Sequence, residues 1–216
     1  MLGNGSFMLR SGESATFIAP PAWLGTWGAR TGCQVDNGSV GACETGQCGP
    51  NFRCYNGNIA PYTQARAAPP LAARAPPRPP DSRPRRRAQV KMLFNSFGGQ
   101  DFYDVIPDVY NIAVLVEPSD PACRAGGCTA DLLQHCPETP ATARVLDSAG
   151  KLIACNSACE AYRDLAHCRF SSAYQRAVKA LCPSSATFAN DDTQLLGCSG
   201  SPDYAITFCG LSTRAQ

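Results

Sequence analysis

Over most of the chain the apolar residues come in short runs broken by Gly, Pro and Asn, with no sustained helical period. Ser14 to Ile18, Gly32 to Val35, Asn111 to Val116 and Tyr204 to Phe208 contain β-branched and aromatic residues bounded by turn formers, which predicts short strands. Short strands at irregular turns predict a mainly β chain with an antiparallel sandwich at its core. The pattern changes at Ser171. Tyr174, Ala177, Val178 and Leu181 recur one helical face apart behind Ser171 and Ser172 as N-cap candidates, and Cys182-Pro183 ends the run, so an amphipathic helix is predicted there. Ala158, Ala161, Tyr162 and Leu165 repeat in the same way within Cys155 to His167 and predict a second, shorter helix. The longest apolar run, Tyr110 to Val116, falls far short of the roughly 18 residues that a membrane-spanning helix needs, so no membrane span is expected.

Composition sharpens this picture chiefly through cysteine. Hydrophobic residues make up 44% and charged residues 17% of the 216 residues, a folded rather than disordered balance. Thirteen cysteines accompany only two histidines, His135 and His167. The close spacings are C-x4-C at Cys43/Cys48 and Cys123/Cys128 and C-x3-C at Cys155/Cys159, not the paired C-x2-C of zinc sites, so disulfides are expected and neither a metal nor a cofactor is. Disulfides imply an oxidising compartment, reached through the secretory pathway. Met1 to Gly5 shows no basic or apolar leader, so the expected signal peptide is absent from this sequence. Asn4-Gly5-Ser6 and Asn37-Gly38-Ser39 are glycosylation triplets, and equally ordinary turn asparagines. Cysteines are densest from Cys123 to Cys182, around the predicted helices, as expected of a lobe too small to be held by burial alone.

Charge is distributed unevenly. Arg66, Arg74, Arg78, Arg83, Arg85, Arg86 and Arg87 stand among seven prolines and one acid, Asp81. Proline removes backbone donors and crowded arginines repel, so this stretch predicts a solvated, extended insertion. The whole chain carries a formal charge of +2, so the rest of it is mildly acidic. The run holds no aromatic residue to stack a base, and nucleic acid is not an expected partner.

Several segments, in order, carry a resemblance. Trp23-Leu-Gly-Thr-Trp-Gly-Ala-Arg-Thr-Gly-Cys33 looks like W-S-G-R-x-W-x-R-T-G-C, and Gly41-Ala-Cys-Glu-Thr-Gly-Gln-Cys-Gly49 like G-x-C-x-T-G-D-C-G. Asp101-Phe-Tyr-Asp104-Val105 with Tyr110-Asn111 is similar to DFYDVSLVDGYN, and Cys128 to Leu132, Ala154 to Cys159, Asn190 to Asp192 and Asp203 to Cys209 continue the series. The chain thereby resembles the thaumatin-like proteins of plant defence. The resemblance implies a β-sandwich with a disulfide-rich, partly helical second lobe. Residues 1–65 and 91–122 would belong to the sandwich, its first strand apparently missing. Residues 66–90 would be the insertion, 123–185 the disulfide-rich lobe, and 186–216 the return to the sandwich. It also implies the bridges Cys33–Cys43, Cys48–Cys54, Cys123–Cys198, Cys128–Cys182, Cys136–Cys155 and Cys159–Cys168, with Cys209 unpaired.

The family is associated with an acidic cleft that binds or cleaves β-1,3-glucan of fungal walls, and its cleft set is one arginine, one glutamate and three aspartates. The arginine position, seven before Cys33, is Thr26 here. The nearest counterpart of the glutamate pattern P-x-T-L-A-E is Pro61-Tyr-Thr-Gln-Ala-Arg66, which puts Arg66 at the glutamate. Asp104 matches one aspartate, Asp108 the next with one residue deleted, and Asp192 or Asp191 the third. The resemblance therefore implies ligand contacts from Asp104, Asp108, Asp191 and Asp192; Tyr103, an aromatic beside these acids, is a candidate to stack on a sugar ring, with core packing as the alternative role in an alternating strand. Glycoside hydrolysis needs two carboxyl groups about 5–5.5 Å or about 6.5–9.5 Å apart, and Asp104 with Asp192 is the candidate catalytic pair. With the arginine and glutamate lost, the expected function is antifungal glucan binding by a monomer rather than turnover. A weak endo-β-1,3-glucanase and a degenerate member without activity are the alternatives.

Overall fold

The computed structural model describes residues 7–36, 39–46, 88–107, 109–169, 172–188, 191 and 194–209. Its strands are β1 (Leu24–Gly28), β2 (Thr31–Asp36), β3 (Ser39–Thr45), β4 (Ala88–Leu93), β5 (Gln100–Pro107), β6 (Val109–Tyr110), β7 (Val114–Pro118), β8 (Gly126–Cys128), β9 (Arg144–Leu146), β10 (Leu152–Asn156), β11 (Leu196–Ser199) and β12 (Tyr204–Phe208). Its α-helices are α1 (Ala158–Tyr162), α2 (Leu165–Arg169) and α3 (Ala173–Leu181). The chain is mainly β, and every strand pairing is antiparallel.

A four-stranded sheet, β1-β4-β5-β11, packs on a three-stranded sheet, β12-β7-β8. Alternation along the strands builds the interface. Val90 and Met92 of β4, Tyr103 and Val105 of β5, and Leu196 and Cys198 of β11 point inward from the first sheet, and Val114 and Val116 of β7 meet them from the second. Trp23 closes one end and begins a run of ring contacts. Phe7 packs on Phe17 and Phe17 on Trp27, while Trp23 packs on both Trp27 and Phe94, with centroids 4.8–5.8 Å apart. Phe94 then meets Tyr204, and Tyr204 meets Tyr103 edge-on at 5.3 Å, an arrangement favoured by aromatic quadrupoles. Asp101, buried at the same end, accepts from the Asn95 backbone N–H at 2.8 Å and from the Tyr204 hydroxyl at 3.0 Å.

The second lobe has its own core: Tyr110, Cys128, Leu132, Cys136, Ala143, Cys155, Ala161, Val178 and Cys182. Half-cystines supply four of these nine residues, as a lobe with little aliphatic area requires. A three-stranded sheet, β6-β10-β9, underlies it. The lobe's helices are short and locally specified. Ser172 caps α3 reciprocally, its hydroxyl accepting from Gln175 N while the Gln175 side chain accepts from Ser172 N. The Gln175 amide also donates to the His167 carbonyl at 2.5 Å, tying α3 to α2. The β2-β3 hairpin is joined to the sandwich by buried Asn111, whose Nδ2 donates to Thr45 Oγ1 at 2.8 Å.

Five of the six expected bridges are formed: Cys33–Cys43, Cys123–Cys198, Cys128–Cys182, Cys136–Cys155 and Cys159–Cys168. Cys48–Cys54 lies outside the described residues. Cys209 is unpaired and exposed.

Four expectations need correction. Ser14 to Ile18 forms no strand, since its aromatic residue serves as an anchor: Phe17 packs on Trp27 without a neighbouring strand for the backbone. The insertion does not reach residue 90, because Ala88 to Val90 open β4 between β1 and β5, and Val90 is fully buried. The second helix is two, α1 and α2, broken where Arg163 takes a left-handed conformation (φ 57°). The lobe boundary at residue 123 is crossed both ways: β6 pairs with β10 of the lobe, and β8 pairs with β7 of the sandwich. Among the described residues no helix is long and apolar enough to cross a membrane.

Candidate functional site

The candidate site lies on the outer face of the four-stranded sheet. Burying Val90, Met92, Tyr103 and Val105 forces Lys91 and Asp104 to the opposite face. Register then aligns three residues across three strands: Thr26 faces Lys91, and Lys91 faces Asp104. Directly opposed residues have Cβ atoms about 4.5–5.5 Å apart, so this is one polar row. The next row, Leu24, Leu93, Phe102 and Gly197, is apolar. Leu24 is 46% exposed, and the Phe102 ring lies 3.5 Å from the place a Cβ of Gly197 would occupy.

Asp104 is half-buried, and that burial pushes its carboxyl above the ordinary range, with the positive charge of Lys91 acting in the opposite direction. A raised carboxyl holds its proton to higher pH in the folded state than in the unfolded chain. Stability therefore falls as pH rises through that interval and stays lower above it. Asp104→Asn removes the charge, and calorimetry is expected to show the variant melting above wild type at about pH 7 but level with it at about pH 2.5, where both forms are neutral.

Ser185 and Ala186 are seated on the edge of β5, next in line to Asp104. The Val105 carbonyl accepts from Ala186 N at 3.0 Å and from Ser185 Oγ at 3.1 Å. Asp191 fixes the loop from within: one carboxylate oxygen accepts from Lys179 Nζ at 2.7 Å, Thr187 N at 3.0 Å and Thr187 Oγ1 at 3.2 Å. Its side chain is 3% exposed. Asp191 is thus a buried anchor of the loop, its carboxylate committed to Lys179 and Thr187. Asp192 and Asp108 lie outside the described residues, as does Arg66.

Tyr103 is corrected as a ligand residue. It is 1% exposed, its hydroxyl donates to the Arg124 carbonyl, and its ring packs in the sandwich core, leaving no face for a sugar. The alternation of β5 makes this unavoidable, since Tyr103 and Asp104 must point to opposite faces. The residue missed by sequence reading is Lys91. It fell just beyond the supposed insertion, and only the burial of Val90 and Met92 reveals it as the outward residue of a strand. The same strand bears on the lost glutamate. Ala88-Gln89 repeats the last two residues of the pattern P-x-T-L-A-E with an amide for the carboxylate, and Gln89 pairs with Gly28 and Ile106 in the central sheet. With either counterpart, Gln89 or Arg66, that position carries no acid.

The Thaumatin family model matches residues 1–70 and 81–210, leaving uncovered residues 71–80 of the Arg/Pro-rich stretch and the last six residues. The chain belongs to the thaumatin family. Family membership agrees with the two-lobed, disulfide-bonded β architecture. The chain is 34% identical over 222 residues to "Pathogenesis-related protein 5" of Arabidopsis thaliana, an alignment covering 96% of this chain and 80% of the relative. It is 33% identical to "Thaumatin-like protein 1" of Prunus persica, covering 94% and 78%, and 31% identical to "Pathogenesis-related thaumatin-like protein 3.5" of Cryptomeria japonica, covering 98% and 81%.

Proposed function

We propose that this protein is a secreted plant defence protein that binds β-1,3-glucan of fungal walls on the outer face of its four-stranded sheet, without turning it over. The supporting observation is the Thr26–Lys91–Asp104 row beside the apolar Leu24–Leu93–Phe102 row. Polar groups of both signs next to an apolar shelf suit a pyranose, which offers hydroxyls on its rim and C–H bonds on its faces. The names of the relatives support the defence role, and five cystines support an oxidising compartment.

A second reading, weak endo-β-1,3-glucanase activity, draws on Asp104 with Asp192, which lies outside the described residues. Its raised carboxyl suits a general acid. Hydrolysis requires a second carboxylate free to act as base or nucleophile, and Asp191 is committed to Lys179 and Thr187. Binding requires no second carboxylate.

The test is co-sedimentation of the oxidised, monodisperse protein with insoluble β-1,3-glucan. Wild type is expected to pellet with the polymer, and Asp104→Ala to bind about tenfold or more weakly, the loss expected for a hydrogen bond to a charged group. Laminarin incubated with wild type should yield no new reducing ends. Reducing ends that disappear in Asp104→Asn would establish the enzymatic reading instead.

A further inference from the structure

Lys91 and Asp104 are opposite charges on directly opposed residues of neighbouring strands, both on the solvent face. Such cross-strand pairs commonly close into an ion pair. Here, among the described residues, neither side chain takes part in an ion pair or a hydrogen bond, although the Lys91 charge is felt at Asp104. Lys91 is exposed on a long flexible stem and Asp104 is half-buried on a short one, so the ammonium moves over a wider range than the carboxylate. On one side of the pair lies Thr26, a short hydroxyl. On the other lies the apolar row, where Gly197 leaves the Phe102 ring without an opposing side chain.

A mobile donor, a fixed acceptor and an apolar shelf within one strand spacing of each other define a chemical complement. A pair of neighbouring sugar hydroxyls offers one O–H to donate and one oxygen to accept, and the ring face beside them is apolar. We infer that Lys91 is a ligand-contacting residue of this face, its ammonium donating to one sugar hydroxyl while Asp104 accepts from the neighbouring one. The inference rests on the glucan reading above and adds to it the residue that supplies the positive charge. Charge placement then becomes a property of the row rather than of one strand. A cation on β1 at residue 26 projects from the same face one strand away, close enough for a long side chain to reach the same point.

The experiment is titration with soluble laminarin, followed by calorimetry, of wild type, Lys91→Met, Lys91→Arg, Asp104→Ala and the double variant Thr26→Lys/Lys91→Thr. Thr26, Lys91 and Asp104 all project from the outer face, away from the sandwich core, so all four variants are expected to keep the wild-type far-UV circular dichroism. Lys91→Met should bind about tenfold or more weakly, because it loses a charge-assisted hydrogen bond. Lys91→Arg should stay within about threefold of wild type, and the double variant should recover most of what Lys91→Met loses. A structural role for Lys91 would not predict that recovery. If wild type binds and Asp104→Ala abolishes binding while Lys91→Met binds like wild type, the Lys91 inference is overturned and the glucan reading stands. Absence of binding by folded wild type overturns both.

Discussion

Tyr103→Ala is expected to lower the unfolding free energy by about 3–5 kcal/mol, the range for removing a large aromatic side chain from a core. The residue is 1% exposed and lies between the two sheets, among Met92, Val105, Val116 and Leu196. Its ring meets Tyr204 edge-on, and Tyr204 in turn packs on Phe94 and donates to Asp101. Truncation therefore leaves a void and also removes the ring against which the Tyr204–Asp101 pair is packed. Guanidinium unfolding followed by tryptophan fluorescence reads this directly, because Trp23 is buried in the same core. Tyr103→Phe separates packing from hydrogen bonding: it keeps the ring and loses only the bond to the Arg124 carbonyl, an expected loss of about 1 kcal/mol. It should also bind glucan like wild type. A loss below about 1 kcal/mol in Tyr103→Ala would contradict the placement of this ring in the core.

Tyr103 also illustrates how far the sequence was legible. Its motif, Asp101-Phe-Tyr-Asp104-Val105, located the site strand, yet assigning the aromatic to the ligand required knowing which face of that strand is buried. Period-two alternation gives two faces but not which is inward, and a central strand here has a core on one side only. Val90 and Val105, side by side in register and both buried, supply the answer. The same gap concealed Lys91. Six residues of β4 followed immediately on a run of arginines and prolines, and composition spread the insertion over the first three of them. Where local chemistry was explicit, the reading was close. Tyr204 to Phe208 coincides with β12, and Ser172 caps α3 as a serine before a helical period should.

The acids separate along a different line. Asp101, Asp104 and Asp191 look alike as aspartates in or near loops and short strands, and their roles are set by what reaches them. Asp101 receives the Asn95 backbone and the Tyr204 hydroxyl, and Asp191 receives Lys179 and Thr187. Asp104 receives no side-chain or backbone donor among the described residues, which is why it alone of the three is available to a ligand. Lys179 comes from α3 and the ligand face from β5, so no spacing rule in the sequence relates them.

Replacing both cysteines of the Cys128–Cys182 bridge with alanine is expected to cost about 4 kcal/mol, the chain-entropy value for a loop of this length. The bridge spans 54 residues and joins β8 of the sandwich to the end of α3. Both half-cystines are buried, so alanine avoids placing a polar group in their positions. Beside the bridge, the Gly127 N–H donates to the Ser184 carbonyl at 2.7 Å, and Gly127 itself (φ 133°) stands where a Cβ would come within 2.2 Å of the Val114 carbonyl. At this point sandwich and lobe are joined by one covalent and one backbone bond, in addition to the β6-β10 pairing. The two cores differ in what remains without the bridge. The sandwich keeps Trp23, Met92, Tyr103 and its valines, whereas the lobe loses two of its nine core residues as a crosslink. The wild-type protein is expected to unfold with coincident transitions in tryptophan fluorescence and in helical circular dichroism. In the double variant the helical signal should be lost at lower guanidinium than the fluorescence, because α1–α3 belong to the lobe and Trp23 and Trp27 to the sandwich. Coincident transitions at an unchanged midpoint would mean that burial alone holds the lobe. Separated transitions would place the cystine as the tie that keeps Ser185 and Ala186 on the edge of β5.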